Sequence, residues 1–224
     1  MSLRDIDTVI LCGGQGTRLR AVLSDKPKVL APIDGRPYLD WLLDSLKGYG
    51  LRRVMLCGGH LSEVLAEWVR GRKNGAVHVS LFNEPEPHGT AGALRFMRPY
   101  LRSDPVMVIN GDTLVTADLA RFLDAHLNGL AMGGEATTLV GTIWRSQSLE
   151  YAGHYLFSQY ALAWLMETEH EMLHDFMEGL QGEGKAVEYV SGCYLDIGTP
   201  EDLALAPEFL REARHDHHAD PVPD

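Results

Sequence analysis

Three apolar runs in the first half of the chain each stop on a glycine, and this constrains the fold more than anything else in the sequence. TVILC (Thr8–Cys12) stops at Gly13-Gly14, RVMLC (Arg53–Cys57) at Gly58-Gly59, and PVMVIN (Pro105–Asn110) at Gly111-Asp112. Short apolar runs bounded by turn residues read as buried strands. Helical patterns separate them. Pro37–Leu46 carries Leu39, Leu42, Leu43 and Leu46 at helical spacing, and Gly48 and Gly50 follow as stop signals. Ser62 is placed to cap a helix over Glu63–Val69. Val77–Phe82 reads as a strand, Gly89–Tyr100 and Asp118–Leu127 as helices. Strand and helix alternating at this rhythm imply right-handed βαβ units and an α/β fold, a Rossmann-like, mostly parallel sheet flanked by helices. Ligands of such sheets bind beyond the carboxyl ends of the strands, where these glycines stand.

The second half is less regular. Ala136–Ile143, Tyr155–Phe157, Val187–Val190 and Cys193–Ile197 read as strands, and Tyr160–Met166 and Met172–Leu180 as helices. Pro200–Leu210 starts a helix with proline in its first turn. From Arg211 the chain is polar, with His215, His217 and His218, so one domain over 1–210 and a disordered polar tail over 211–224 are expected.

Composition removes several function classes. The net charge is -11, from 31 acidic and 20 basic side chains, so nucleic acid is a poor partner. Cys12, Cys57 and Cys193 have no paired spacing, which argues against disulfides and a cysteine zinc site. No apolar run approaches the ~20 residues of a membrane helix. The charged, short segment Met1–Asp7 is no signal peptide. A cytoplasmic protein without membrane partners is expected.

The loop Gly13-Gly14-Gln15-Gly16-Thr17-Arg18 lets backbone N–H groups approach phosphate oxygens, and Arg18 adds a charged fork. A plain strand-to-helix turn is the other reading. The loop is not the dinucleotide fingerprint, because its third glycine falls too early. It is not a Walker A loop, because no Gly-Lys-Ser/Thr follows.

The compound pattern is more specific. Gly13 to Leu19, followed by Lys26-Pro27-Lys28-Val29-Leu30-Ala31-Pro32, resembles the signature of sugar-1-phosphate nucleotidyltransferases. Glu84-Pro85-Glu86-Pro87-His88-Gly89-Thr90-Ala91-Gly92-Ala93 looks like that family's base-binding turn, Asn110-Gly111-Asp112 like its metal-binding strand end, and Tyr194 to Asp202 like its second metal segment. The heptose 1-phosphate guanylyltransferase branch is the nearest in look. The resemblance implies a single nucleotidyltransferase domain with a small sugar-binding lobe. It implies attack of a sugar 1-phosphate on the α-phosphorus of a nucleoside triphosphate, with pyrophosphate leaving and Mg2+ assisting. Arg18 would hold the β- and γ-phosphates, and Lys28 the α-phosphate and the incoming phosphate. Leu11, Gly13, Gly14, Gly16, Thr17, Glu84, Gly89 and Thr90 would bind the nucleotide, Asn110, Glu150 and Gly153 the sugar, and Asp112 and Asp196 the metal.

Each assignment has a plainer competitor. Asp112 also fits an Asx-turn or helix cap, Asp196 a strand-end turn, Glu84 a solvated residue before proline, and Gly89 a helix N-cap. A carboxylate at 84 would accept guanine N1–H and N2–H together, which favours GTP. Cys12 reads as a small buried residue, and Trp41, Trp68 and Trp164 as core or interface. The sequence departs from the family between Trp144 and Tyr151, where a longer stretch with a Glu-Lys pair is usual; Glu150 is the nearest substitute carboxylate. A glucose-1-phosphate thymidylyl- or uridylyltransferase, a molybdopterin-type guanylyltransferase and a nucleotide-binding protein with a degenerate acceptor site are the rival readings. The chain is too short for the C-terminal left-handed helix domain that some relatives use to oligomerise, which leaves room for a homo-oligomer by another face.

Overall fold

The structure is a computed structural model that describes residues 1–72, 75–146 and 148–216. The first strand, β1 (Asp7–Leu11), alternates its side chains: Val9 joins the core on one face of the sheet and Ile10 the core on the other. A short ribbon, β2 (Pro32–Ile33) with β3 (Arg36–Pro37), leads into α1 (Tyr38–Gly48), whose buried residues Leu39, Leu42, Leu43 and Leu46 are the apolar stripe read from the sequence. Next come β4 (Arg53–Gly58), α2 (Ser62–Gly71), β5 (His78–Asn83), α3 (Gly89–Met97) and β6 (Val106–Asn110). A three-residue strand, β7 (Thr113–Val115), follows, then α4 (Leu119–Ala131), capped by Asp118 through the N–H groups of Ala120 and Arg121. The chain closes with β8 (Ala136–Ile143), β9 (Leu149–Phe157), α5 (Gln159–Leu165), α6 (Leu173–Gly182), β10 (Ala186–Asp196) and α7 (Pro200–Asp216).

The sheet order is β5-β4-β1-β6-β9-β8-β10-β7. The ladders β5-β4, β4-β1, β1-β6 and β8-β10 are parallel; β6-β9, β9-β8 and β10-β7 are antiparallel. One core cluster packs α1, α2, α4 and α7 against one face, and a second packs α3, α5 and α6 against the other. Each fully buried aliphatic side chain, such as Leu56 or Leu94, contributes about 1.5–3 kcal/mol. The chain winds from β1 through β4 to β5 over one face, then crosses by α3 to β6 over the other. The winding therefore reverses between β1 and β6, and a crevice opens beyond their carboxyl ends.

Several elements differ from the sequence reading. Ser62 does not cap α2; Leu61 takes the N-cap position in a left-handed conformation (φ 55), with no side-chain cap. The two strands expected over 187–197 are one, β10, with a bulge between Val190 and Cys193. The β9 strand starts at Leu149, well before Tyr155, and pairs antiparallel with β8, so the shortened segment after Trp144 is the turn of a hairpin; Gln147 in that segment lies outside the described residues. The last helix runs past Arg211 to Asp216 and buries Ala213, so the tail does not start at 211. The rest of the expected tail, 217–224, lies outside the described residues.

Candidate active site

A cleft of about 330 Å3 occupies the crevice. Leu11, Gly13 and Gly14 from the end of β1, Asn110 and Asp112 from the end of β6, and Glu84, Gly89 and Thr90 from the β5–α3 turn all line it, with Lys28. These residues come together because Leu11 pairs with Asn110 across the β1-β6 ladder, and the Gly111 N–H donates to the Leu11 carbonyl at 2.9 Å. A Cβ on Gly111 would stand 2.4 Å from that carbonyl oxygen, so only glycine permits the close approach. Gly16 has φ 56 and starts the 3-10 turn Thr17–Leu19, which anchors the loop through the buried Leu19. Cys12, buried beside the loop, donates its Sγ–H to the Ile10 carbonyl at 3.4 Å, and burial pushes its thiol well up, so it is inert.

The charged centre lies at one end of this cleft. The Lys28 ammonium donates to Asp112 Oδ2 at 2.6 Å and to Asp196 Oδ1 at 3.2 Å. The short 3-10 turn Lys28–Leu30 fixes Lys28, with Val29 and Leu30 buried beneath it. Backbone pairing sets the spacing of the two carboxylates: Thr113 pairs with Asp196 in the β7-β10 ladder, and the Ile197 N–H donates to the Asp112 carbonyl at 2.9 Å. Burial and the neighbouring Asp112 charge raise the Asp196 carboxyl pKa, against the opposite pull of Lys28 and Arg18.

Gly198, which the sequence reading did not single out, is where three charged side chains meet. A Cβ there would stand 2.8 Å from Asp196 Oδ1, 3.0 Å from Arg18 Nη2 and 3.1 Å from Lys28 Nζ. Arg18 therefore stands on the carboxylate side of the loop. Neither Arg18 nor Thr17 is among the residues lining the main cleft; both are exposed on the 3-10 turn.

On the base side, Glu84 Oε1 accepts the His88 N–H at 3.4 Å. Burial raises the Glu84 carboxyl pKa, and the contact with His88 opposes it. Gly92 makes this turn possible, since a Cβ there would stand 2.3 Å from the His88 Cβ. Gly89 opens α3 at φ 72 beneath Glu171, whose carbonyl a Cβ would meet at 2.2 Å. It is the first residue of the helix rather than its N-cap. Thr90 Oγ1 accepts the Leu173 N–H at 2.8 Å and so pins α6 to α3.

A second hollow of about 690 Å3 shares Thr90, Asn110 and Met172 with the first, and extends to Glu150, Tyr151 and Glu188. Glu150 Oε2 accepts from the Tyr194 hydroxyl at 3.4 Å, and burial and Glu150 push that phenol up to about 12. Gly153 is buried and does not line this hollow; at φ 62 it leaves room for the Asn110 amide, which a Cβ would meet at 2.6 Å. It positions Asn110 from behind.

A strand-end glycine loop and a lysine between two carboxylates thus meet at an open crevice where the winding reverses. The chain belongs to the nucleotidyl transferase family, whose model matches residues 7–151. The D-glycero-alpha-D-manno-heptose 1-phosphate guanylyltransferase of Aneurinibacillus thermoaerophilus is 35% identical over 123 residues, 55% of this chain and 53% of that one. The protein of the same name from Campylobacter jejuni is 27% identical over 215 residues, 88% of this chain and 96% of its own. The match thus spans about half the length of the first relative and nearly all of the second. Among solved structures, HddC from Yersinia pseudotuberculosis complexed with GMP-PN superposes with a TM-score of 0.74 at 25% identity, covering 91% of this chain and 99% of that one. The inositol-1-phosphate CTP transferase of T. maritima shares the fold at 17% identity (TM-score 0.72), over 98% of this chain and 99% of its own. Among the described residues, no helix is long and apolar enough to cross a membrane.

Proposed function

We propose that this chain transfers a nucleotidyl group from a nucleoside triphosphate, GTP for preference, to a sugar 1-phosphate of heptose or mannose type. The products are a nucleoside diphosphate sugar and pyrophosphate. The observation that carries this reading is the meeting of Lys28, Asp112 and Asp196 at the end of the cleft lined by the glycine loop and Glu84. A phosphate monoester is already an anionic nucleophile, so the chain needs no side-chain base. Its task is to position two phosphates and stabilise developing charge. Lys28 supplies positive charge between the reacting phosphates, and Arg18, beside it at Gly198, supplies more. Glu84 faces the base and accepts the paired donors of guanine. Asn110 lines both hollows, and with Glu150 it meets the acceptor's hydroxyls.

The residues present fit Mg2+. Asp112 and Asp196 offer hard oxygen ligands, and the Lys28 ammonium that bridges them shows the pair oriented toward one common cation position. Asp112 and Asp196 would hold the ion, and its chemistry would be charge neutralisation at the phosphates. We place the reaction in the cytoplasm.

The test is pyrophosphate release from each nucleoside triphosphate with a panel of sugar 1-phosphates and Mg2+. Release with GTP and a heptose or mannose 1-phosphate is expected. Tight nucleotide binding without release from any pair would sink the enzymatic reading, and faster turnover with UTP or dTTP would sink the assignment of Glu84 to guanine.

A further inference from the structure

The two hollows differ in the charge they offer. The main cleft has Lys28 beside its carboxylates; the second has Glu150, Glu178 and Glu188, and neither lysine nor arginine among its lining residues. Thr90, Asn110 and Met172 are common to both and mark the end nearest the reacting phosphates, whereas Glu178 and Glu188 belong to the second hollow alone. Both glutamates are anchored. His174 Nε2 lies 3.4 Å from Glu178 Oε1, four residues along α6, and the His174 ring packs edge-on to Tyr151 with centroids 4.9 Å apart. Gln181 Nε2 donates to Glu188 Oε1 at 2.9 Å, and the Tyr151 hydroxyl donates to Gln181 Oε1 at 2.9 Å. Tyr151 thus ties both carboxylates to β9. At the shared end, Asn110 Oδ1 is buried and has no hydrogen-bond partner among the described residues. An amide oxygen and three carboxylates accept hydrogen bonds and give none, so they suit a ligand rich in hydroxyl donors. A further phosphate or carboxylate on that ligand, itself only an acceptor, leaves them unmatched.

We infer that Glu178 and Glu188 determine acceptor specificity: they admit a sugar 1-phosphate that is neutral or cationic away from its phosphate, and reject one that carries a second anionic group. The inference rests on the nucleotidyl transfer proposed above and narrows its acceptor class. The uneven charge also orients the acceptor, with its phosphate toward Lys28 and its far hydroxyls toward the acidic rim. A like charge a few ångströms away in water-filled space costs about fivefold in affinity, so two carboxylates acting together cost about 25-fold. Both glutamates are exposed, so salt weakens the effect.

The test is pyrophosphate release with four acceptors that share one ring: mannose 1-phosphate, mannuronic acid 1-phosphate, mannose 1,6-bisphosphate and 6-amino-6-deoxymannose 1-phosphate. Relative to mannose 1-phosphate, kcat/KM should fall about 25-fold for the uronic acid, further for the bisphosphate, and not at all for the amino sugar. Glu178→Gln and Glu188→Gln should each bring the ratio of uronic acid to neutral sugar up about fivefold, and added salt should narrow the gap in the wild type. Both substitutions keep the size of an exposed side chain, so thermal melting should register intact folds. Equal turnover of the anionic and neutral acceptors by the wild type, or an unchanged ratio in both variants, would overturn the assignment. So would equal rejection of the amino sugar and the bisphosphate, which would make the exclusion one of size. If no nucleotide and sugar phosphate pair is turned over, the proposed function fails, and calorimetric dissociation constants of the same four compounds for the full chain still decide whether the rim repels a second anion.

Discussion

Gly198→Ala separates the fold from the chemistry more cleanly than any ligand deletion. Gly198 has no left-handed backbone, so alanine is conformationally tolerated there, and its lower unfolded-state entropy adds about 0.4–1 kcal/mol of stability. The added methyl would lie 2.8, 3.0 and 3.1 Å from Asp196 Oδ1, Arg18 Nη2 and Lys28 Nζ. All three atoms are far ends of side chains, so they shift rather than break the backbone. An ordinary van der Waals contact needs about 3.5 Å, so the carboxylate must move by roughly 0.5 Å or more, and the cations by somewhat less. A misplacement of about 1 Å at a reacting centre costs roughly 100-fold in rate, so half of that costs about tenfold, or about 1.4 kcal/mol. The expected result is kcat/KM for pyrophosphate release down by about tenfold and a Tm within a few degrees of wild type. Wild-type turnover would refute the placement of Asp196, Arg18 and Lys28 in the reacting centre. A large loss of Tm would refute the claim that only side-chain ends meet at this position.

Asp112→Ala should reduce turnover by orders of magnitude with the fold intact by far-UV circular dichroism, and a near-normal rate would remove Asp112 from the centre. Glu84→Gln loses the double acceptor for guanine, so its KM for GTP should rise at least about tenfold relative to the other triphosphates; an unchanged base preference would count against the assignment. Gly111→Ala puts a methyl 2.4 Å from a backbone oxygen, so urea titration should show a loss of about 3 kcal/mol or more, and a stable variant would contradict the tight β1-β6 junction. His126 and His154 are buried and held neutral, with pKa values lowered to about 4. The unfolded chain takes up these protons near pH 6.5 and the folded chain only near 4. Stability is therefore fully present above pH 6.5 and falls by about 3 kcal/mol per histidine as pH drops through that window. Urea midpoints of wild type and His126→Gln between pH 7 and 4 measure this, and identical slopes would exclude His126 as a contributor.

Much of the first half was legible because buried parallel strands read as apolar runs and end in glycine. β1, β4 and β6 sit within a residue or so of the expected ranges. β7 was missed because three residues carry no periodicity. β10 was split in two because the bulge places Ser191 and Gly192 inside it, and those residues read as a turn. The start of β9 was missed because Leu149 and Glu150 are exposed and give no buried run. The motif located Lys28, Asp112 and Asp196, but not which side of the loop Arg18 takes, since one rotation of a 3-10 turn decides it. Gly198 and Gly92 matter through what a missing Cβ lets approach, and only the folded chain shows those neighbours. The second hollow is assembled from β8, β9, β10 and α6, so no contiguous stretch announced it.

The ladder that sets Asp196 beside Asp112 has a consequence for how the protein is made. A growing chain that has emerged as far as residue 151, where the family match ends, already carries the glycine loop, Lys28 and Asp112. It has no opposing carboxylate, because β10 does not yet exist to pair with β7. The two halves of the charged centre therefore meet only after nearly the whole domain has been synthesised. An unfinished chain on the ribosome therefore carries only half of the charged centre.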